Sequence, residues 1–432
     1  MISADSSRDH VTPYDRFAWS DAQIEEWLVE GAHATELGAY FGAGEYRALR
    51  QLARRAHRVP LAAGALPVLI VPGIMGSQLG LKRTSPLPND IVWLDPLDIQ
   101  QGRLTVLAVG AGAPIVPLGV VLFSHLRLKL ALRARGFAAE FHDYDWRLGV
   151  AELGRALAER LAAAGRIALV AHSMGGLVAR AALKYPTTRH VERVVLLGTP
   201  NCGSGAALQA LRGTYAVVRK VASLAAQPSA EALVTEVFSS FPSLYDMLPR
   251  GAWGGRADLL DAADWPRSGP QPRAELLAAA RATPGLLAPP DARFAAIVGV
   301  GHGTVTAVTR RRGDFLYTLT RHGDGSVPAA SAALHGAPCA YAAVAHSDLT
   351  RHPVVAEAVV DFLRRGATSR LPLRYRSTSR AAAQVSDGQL RRTHADKVDW
   401  SALSPEARRR FLETLNEPPQ LKWRVPRRRG TR

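Results

Sequence analysis

A serine lies between an apolar run and a helix-forming run, an arrangement that can produce a nucleophile. The apolar run covers residues 166–171, and the helical pattern begins at Leu177, after Gly175-Gly176. A serine hydroxyl reacts as a nucleophile only when a base lies beside it and a tight turn exposes it. The order strand, Ser173, glycine pair, helix is typical of the turn called a nucleophile elbow. We therefore predict that Ser173 takes up an acyl group from an ester.

The residues around Ser173 agree with this prediction. Strand and helix pass close together in an elbow, so the positions two before and two after the serine must be small. They are Ala171 and Gly175, with alanine in place of the first glycine of the usual G-x-S-x-G motif. The alternative is that Ser173 only caps the following helix. We expect the adjacent His172 to point elsewhere and to support packing.

Acyl transfer also needs donors for the oxygen that becomes negatively charged. These are usually one amide after the nucleophile and one amide from the loop after an early strand. The apolar run 66–71 ends at Pro72, and the loop that follows contains Gly73, Ile74, Met75 and Gly76. We assign the two donors to the backbone N–H groups of Ile74 and Met174 and expect Gly73 to support the turn. An ordinary glycine-rich turn is the alternative.

The acid should follow the serine in the chain, and the histidine should follow the acid. Asp324 lies in the turn Gly323-Asp324-Gly325 after a strand-like run at 315–320, where a carboxylate can orient an imidazole. Asp314 is a competitor, but it precedes that run and would lie at the wrong end of the sheet. Asp324 is therefore the predicted acid.

The predicted general base is His346, which directly follows the apolar run 340–344. Three other histidines compete for this role, but none of them follows a strand-like run in the same way; they are His322, His335 and His352. The predicted catalytic set is Ser173, Asp324 and His346.

Strand-like runs that alternate with helical stretches predict parallel strands, with ligands beyond the carboxyl ends of those strands. The runs are 66–71, 166–171, 191–197, 294–300, 315–320 and 340–344. The predicted fold class is α/β, an α/β-hydrolase fold with a mostly parallel central sheet flanked by helices. We divide the chain into a helical N-terminal extension at 1–65, a core at 66–200 and 293–367, a cap or lid insertion at 201–292 and a basic, partly disordered C-terminal appendage at 368–432. Within the appendage, Trp400, Phe411 and Leu415 are spaced to anchor a short helix.

The composition limits the classes of function. The chain has 432 residues, 47% hydrophobic and 21% charged, which is typical of a globular protein with one elaborated core. Cys202 and Cys339 lie outside any Cys-x-x-Cys or Cys/His cluster, so we expect small buried cysteines and neither a metal site nor a disulfide framework. No residue pattern calls for a cofactor. The N-terminus lacks a cationic start followed by an apolar stretch, so a cytoplasmic location is predicted.

Two features bear on membranes. The segment Leu104 to Phe123 carries no charge, but glycines and prolines interrupt it, which favours a buried loop or a lipid-facing cap element over a membrane span. The net charge is +17, with arginine runs at 408–410 and 427–429. Such runs are compatible with peripheral contact with anionic lipid, but a solvated basic tail is the favoured interpretation. The chain lacks zinc-finger spacing and aromatic-basic RNA motifs, which argues against nucleic acid as a partner. The oligomeric state is left open.

With these residues in place, the chain resembles the lecithin:cholesterol acyltransferase-like family over residues 66 to 365. The similarity consists of ordered blocks: residues 72–77, 93–95, Tyr144-Asp145-Trp146-Arg147, the serine elbow, 197–204, Ser240-Phe241-Pro242-Ser243, Gly323-Asp324-Gly325 and His346. The resemblance implies a serine that takes an acyl chain from a phospholipid or related ester and passes it to an alcohol or to water. The disulfide-closed membrane-binding loop of the secreted vertebrate members has no counterpart, because no cysteine pair lies between Ile74 and Tyr144.

Three functions are therefore weighed. The first is a lipid-directed O-acyltransferase or phospholipase-type hydrolase that works through an acyl-Ser173 intermediate. The second is a carboxylesterase or lipase that acts on neutral esters, which would use the same catalytic residues. The third is a lipid-surface binding protein on a hydrolase scaffold. The sequence leaves the acceptor, water or alcohol, open.

Overall fold

A computed structural model describes residues 20–84, 86–224, 229–251, 258–311, 313–376, 382–392 and 397–415. The strands are β1 Pro67–Val71, β2 Ser77–Leu81, β3 Asp90–Trp93, β4 Val116–Val120, β5 Ala138–Phe141, β6 Ile167–His172, β7 Val191–Leu197, β8 Phe294–Gly299, β9 Thr304–Arg311, β10 Asp314–Thr320, β11 Cys339–Ala342 and β12 Ala382–Ser386. The helices are α1 Asp21–Glu30, α2 Ala34–Phe41, α3 Ala43–Arg58, α4 Pro96–Gln100, α5 Leu122–Arg133, α6 Val150–Ala162, α7 Met174–Ala182, α8 Gly205–Leu211, α9 Ala216–Leu224, α10 Ala230–Glu236, α11 Pro242–Asp246, α12 Ala274–Ala280, α13 Thr283–Leu286, α14 Ala329–Ala332, α15 Pro353–Arg365, α16 Asp387–Arg392 and α17 Pro405–Glu413.

Six parallel strands form the central sheet in the order β11-β8-β7-β6-β1-β5. All six residues of β6 and of β8 are buried, as expected where helices cover both faces of a parallel sheet. Side chains of β1 alternate between the faces, so Leu69 and Val71 join one apolar cluster while Val68 and Ile70 join the other. Helices α6 and α7 pack on the first face, and α5 and α15 on the second. The predicted α/β fold with a mostly parallel sheet is confirmed.

Two smaller antiparallel sheets accompany the central one, in the orders β3-β2-β4 and β12-β10-β9. We expected residues 315–320 to continue the alternating core pattern, but the strand there, β10, pairs antiparallel with β9 and β12 outside the central sheet. Its burial alternates along the strand, which is typical of a strand with one covered face. The assignment of 315–320 to the core sheet is therefore wrong.

The N-terminal helices α1, α2 and α3 cover one end of α5. Ile24, Leu28, Leu37 and Leu49 share an apolar cluster with α5 residues. At its edge, Lys129 on α5 pairs with carboxylates of α1. The helical character predicted for this region is present from residue 21 onward, and residues 1–19 lie outside the described part of the chain.

Helices α8 to α13 occupy most of the predicted cap region. The buried Arg212, which directly follows α8, stabilises part of this region. Its guanidinium donates to the carboxylate of Asp387 and to the carbonyl oxygens of Ser268 and Pro270. The division of the chain into core, cap and appendages remains a prediction.

The apolar segment 104–123 contains a 3-10 helix at Arg103–Leu107, strand β4 and the first two residues of α5. Within the described ranges, no helix has the length and apolarity needed to cross a bilayer. Near the other end of the chain, Trp400 is buried and its ring lies 5.8 Å from that of Phe411 on α17. The sequence predicted this helix but did not predict β12.

The two cysteines differ from expectation. Cys202 is exposed in the turn after β7, and Cys339 is partly exposed at the start of β11, which is an edge strand of the central sheet. Neither position is enclosed by neighbouring strands and helices, so the prediction that both cysteines are buried is wrong.

Candidate active site

Ser173 occupies a strained turn between β6 and α7. Its backbone has φ 54° and ψ −128°, which is an unusual conformation for a residue other than glycine. Two hydrogen bonds hold the turn: the Ser173 N–H donates to the Leu197 carbonyl at 2.8 Å, and the Gly176 N–H donates to the Ser173 carbonyl at 3.0 Å. Such strain persists only where surrounding structure fixes the conformation, and it is common at active sites.

The small residues near the serine are required by close backbone approach. A Cβ atom on Gly175 would lie 2.3 Å from the Pro72 carbonyl oxygen, and one on Gly73 would lie 2.8 Å from the Ser173 Cβ. Ala171, which replaces the usual first glycine, is fully buried in β6 and lies beside Val71 and Leu196 in the sheet register. The lack of side chains at Gly73 and Gly175 thus lets the β1 loop, residues 72–76, pack against the elbow. Ala171 fits within the central sheet.

His346 lies beside the serine at the same edge of the sheet. It follows β11 by a short loop and begins a 3-10 turn. Its Nε2 atom is 2.9 Å from the Ser173 hydroxyl oxygen, and its Nδ1 atom is 2.7 Å from a carboxylate oxygen of Asp324. The structure therefore brings the three predicted catalytic residues into one hydrogen-bonded chain.

Asp324 is held on the opposite side of His346. One of its carboxylate oxygens accepts hydrogen bonds from the N–H groups of Ser326 and Val327, at 2.9 and 2.7 Å. Its carbonyl oxygen accepts from the His346 N–H at 2.9 Å. The side chain is enclosed completely. Both ends of the acid are thus fixed, and its second carboxylate oxygen is aimed at the imidazole.

Asp324 is positioned at this edge by a strand that the sequence did not predict for this role. Because β10 lies outside the central sheet, the turn at Asp324 is positioned instead by β8. Asp324 forms a bridge with His302, just after β8, and a Cβ on Gly299 would lie 2.6 Å from the Asp324 Cβ. Asp324 lies beside His346 as predicted, but the strand used to predict its position was the wrong one, and its role as the acid stays a prediction.

The rival residues lie elsewhere. Asp314 accepts a hydrogen bond from the Gly388 N–H beside β12. His322 and His335 are exposed, and His352 precedes α15.

His172 contacts the proposed base, which the sequence reasoning missed. Its Nε2–H donates to the His346 carbonyl oxygen at 3.0 Å, and the two ring centroids are 4.8 Å apart. The ring of His125 packs 5.8 Å away on His172. Burial lowers the pKa of His125 to about 4 and holds the pKa of His172 well below its usual range. His172 does support packing, and it packs against His346 in neutral form. Its place immediately before the serine is the one sequence signal for this role.

The predicted oxyanion donors lie on the two segments that meet at the elbow. Met174 is the first residue of α7, where backbone N–H groups lack partners within the helix. Ile74 lies in a turn closed by a 3.1 Å hydrogen bond from the Gly76 N–H to the Gly73 carbonyl, with Met75 at φ 62°. This matches a type II turn, which sets the orientation of its central amides. The assignment of Ile74 and Met174 as donors stays a prediction.

A mainly apolar cavity of about 150 Å³ opens at Ser173 and His346. The first helices of the cap, the β1 loop and the end of the described chain all contribute to its wall. Its apolar lining comprises Ile74, Met75, Leu94, Ala207, Ala210, Val217, Leu244, Met247, Leu412 and Leu415. The cavity thus offers apolar contact on one side of the serine.

A larger and more polar groove of about 930 Å³ lies on the other side of His346. Two ion pairs line it, Arg127 with Glu45 and Arg351 with Asp348, together with His302. Both spaces share Ser326, His346, Ser347 and Arg351. A substrate bound across His346 would therefore meet apolar surface at one end and polar surface at the other. Among the residues that the structure describes, no group of three or more side chains is arranged to hold a metal ion.

One comparison with known protein families agrees with this fold. A family model described as a PGAP1-like alpha/beta domain matches residues 150–267, a region that includes the elbow but covers less than half of the chain. No curated protein matches at the significance required. The lecithin:cholesterol acyltransferase-like resemblance therefore stays a prediction.

Solved structures with similar chains have low identity. The Bacillus licheniformis lipase BlEst2 in its mature form is 15% identical, with a TM-score of 0.38, over 72% of this chain and 96% of its own. The Tle4-Tli4 complex contains a chain that is 15% identical, with a TM-score of 0.42, over 69% of this chain and 98% of its own. The sheet order, the strained serine after β6 and the family-model match together identify an α/β-hydrolase-like fold.

Proposed function

We propose that this protein is a serine enzyme that transfers the acyl group of a lipid ester through an acyl-Ser173 intermediate. The observation that carries the proposal is the hydrogen-bonded chain from Asp324 through His346 to Ser173, which ends at a cavity. A serine nucleophile needs a base beside it and an acid that orients the base, and this geometry supplies both.

In the first half of the reaction, His346 Nε2 accepts the hydroxyl proton while Ser173 Oγ bonds to the ester carbonyl carbon. The carbonyl oxygen gains the negative charge, and the N–H groups of Ile74 and Met174 donate to it. Asp324 stabilises the imidazolium and holds Nδ1 as its proton-bearing nitrogen. When the tetrahedral intermediate collapses, the alcohol leaves with the proton from His346, and the acyl group remains on Ser173.

In the second half, a water or alcohol hydroxyl gives its proton to His346 and attacks the acyl-serine. Water yields a carboxylic acid and an alcohol yields a new ester, and in both cases Ser173 recovers its proton from His346. The apolar cavity suits the acyl group, and the polar groove suits the alcohol part of the donor or the acceptor. This division supports a donor with a polar alcohol portion, such as a phospholipid.

A carboxylesterase acting on neutral esters is the second candidate, and the cavity size favours it. A cavity of about 150 Å³ is smaller than the roughly 300–1,000 Å³ of typical small-molecule sites. A short acyl group needs less space than a lipid chain.

A covalent probe for active serines tests whether this is an enzyme at all. A fluorophosphonate should label the wild type and not Ser173→Ala. If the wild type stays unlabelled, or both proteins label equally, Ser173 is not an activated nucleophile and the proposed acyl-Ser173 enzyme is ruled out. Thr105→Ala, at an exposed hydroxyl remote from Ser173, is the matched control and should label like the wild type.

The acceptor is tested with a phospholipid labelled in its acyl chain, offered together with a sterol or a long-chain alcohol. A labelled ester product supports transfer, and labelled free fatty acid alone rules out the transferase assignment. Flotation of the same samples with anionic and neutral vesicles tests the proposed contact with anionic membranes. A cytoplasmic location stays a prediction.

A further inference from the structure

The last described residues of the chain complete the wall of the catalytic cavity. Leu412, near the end of α17, and Leu415, just after it, line the cavity, whereas Thr414 between them lines the polar groove. Leu415 is 8% exposed. Within the described part of the chain, these two leucines are the cavity residues that follow Arg351 in sequence. A segment far from the elbow in sequence thus separates the two spaces.

The segment is seated by several independent contacts. The Trp400 side chain is buried, and the Arg408 guanidinium lies 5.8 Å from its ring and donates to the Trp400 carbonyl at 3.0 Å. Lys220 on cap helix α9 donates to the Thr414 carbonyl oxygen. Arg409 packs against Gly42, because a Cβ there would lie 2.8 Å from the Arg409 Cδ. The segment therefore bridges the cap and the N-terminal helices, and two arginines of the 408–410 run serve as anchors.

The volume of the cavity sets a limit on its occupant. Its volume is about 150 Å³. An apolar protein cavity of about this size holds one benzene molecule, which has about six carbon atoms. Protein interiors are close-packed, so an acyl group that exceeds this volume must displace part of the wall. The wall is continuous with the packed core, since Leu244, Met247 and Leu415 belong to one apolar cluster and Leu412 packs against it.

We propose that Leu412 and Leu415 limit the length of the acyl group that the enzyme accepts. With the segment seated as described, the cavity takes acyl groups of about six carbons. Longer chains meet these two side chains. The inference depends on the proposed acyl-Ser173 reaction, and it favours the short-acyl carboxylesterase candidate over a donor with long lipid chains. It assigns the C-terminal segment to the acyl-binding site.

The test is a series of p-nitrophenyl esters from two to sixteen acyl carbons, below their micelle concentrations, with kcat/KM measured for each. We expect wild-type kcat/KM to peak near six carbons and to fall beyond. Leu412→Ala and Leu415→Ala together remove six carbon atoms, so the peak should move toward about ten to twelve. Each added methylene that finds a buried place is worth about fourfold in kcat/KM, so the octanoate-to-hexanoate ratio should rise roughly fifteenfold.

Leu403→Ala is the matched control, since Leu403 packs in the same segment without lining the cavity, and its profile should match the wild type. Leu415→Phe is the opposite variant and should shorten the preferred chain, which keeps the test informative if the double variant fails to fold. Equal profiles for the wild type and the Leu412, Leu415 variants overturn the inference, as does wild-type preference for twelve carbons. Esterase activity that Ser173→Ala retains overturns the proposed function instead.

Discussion

Two buried carboxylates in this molecule, Asp324 and Asp387, are each hydrogen-bonded in a chain of three side chains. Asp324 bonds to His346, which bonds to Ser173 at the cavity. Asp387 bonds to Arg212 at 2.5 Å and accepts from the Tyr317 hydroxyl, and all three of these side chains are fully enclosed. The second chain joins α8, β10 and α16 to the loop at Ser268. Rings of Trp265 and Phe315 flank its guanidinium within about 6 Å.

The difference between the two chains is what lies at their ends. The Asp324 chain ends at a hydroxyl in a cavity, where a substrate can complete it. The Asp387 chain ends on carbonyl oxygens of the cap, so each of the three guanidinium nitrogens of Arg212 is already hydrogen-bonded to the protein. A buried charged network therefore indicates a reactive site only when one end remains open. The Asp387 network, in contrast, links the cap to the small β12-β10-β9 sheet and stabilises their contact.

Asp324→Asn should produce the largest effect. The amide removes the charge that stabilises protonated His346, and it allows the wrong imidazole tautomer, so kcat should fall about 10⁴-fold. Ester hydrolysis and urea unfolding, measured on the same sample, separate activity from stability. If the variant keeps the wild-type kcat, Asp324 contributes only to stability, as is expected of Asp387.

Asp387→Asn should affect stability instead. It leaves the Arg212 charge buried without its counter-charge, which costs about 3–5 kcal/mol in the free energy of unfolding. The kcat of the folded protein should remain that of the wild type. Glu159→Gln is the control, since its exposed pair with Arg155 should contribute about 0–1 kcal/mol. A large fall in kcat without loss of stability would contradict the division of roles.

Acid should destabilise the packing of His125 beside the proposed active site. His125 has a folded-state pKa of about 4 against 6.5 ordinarily, so the unfolded chain binds its proton first as pH falls. Its contribution is present above pH 6.5 and is lost between about pH 6.5 and 4. Each pKa unit corresponds to about 1.4 kcal/mol, so the loss approaches about 3 kcal/mol. Urea unfolding at several pH values should show a shallower decline for His125→Leu, and parallel curves would refute this.

Ala171→Gly should have the smallest effect. It restores the usual first glycine of the elbow, but glycine within β6 costs roughly 0.5–1 kcal/mol in stability. The kcat should be unchanged, because no catalytic atom moves. Thermal unfolding and ester hydrolysis check both points, and a severalfold rise in kcat would show that alanine strains the elbow. Gly175→Ala provides the contrast, since its Cβ would collide with the Pro72 carbonyl oxygen.

The edge of the sheet that carries the proposed catalytic residues was predictable because its signals are local. The runs that became β1, β6 and β7 are short and largely apolar, and Gly73, Ser173 and Gly198 follow them within two residues, so each strand lies close in sequence to its turn. His346 likewise follows its strand closely. The position of each residue just after a strand-like run was enough to predict Ser173 and His346, which lie close together in the structure.

The remainder depends on contacts between segments that are distant in sequence. Strand β12 forms because β10 offers an edge to pair with, although the residues around it have little apolar periodicity. The position of β10 outside the central sheet is likewise decided by β9 and β12. Leu412 and Leu415 were visible as apolar residues in a basic stretch, but nothing local connects them to Ser173. Cys202 is exposed because it lies in the turn after β7, and the spacing of the cysteines in the sequence does not predict that position.

The placement of Leu412 and Leu415 also matters during synthesis. The ribosome delivers the chain from its N-terminus, and domains begin to fold as they emerge. The elbow, Asp324 and His346 all leave the ribosome before α17 does. A nascent chain can therefore bring Ser173, Asp324 and His346 together while the apolar cavity still lacks the wall that Leu412 and Leu415 supply. Over that interval the apolar lining of the cavity is more exposed than in the finished protein.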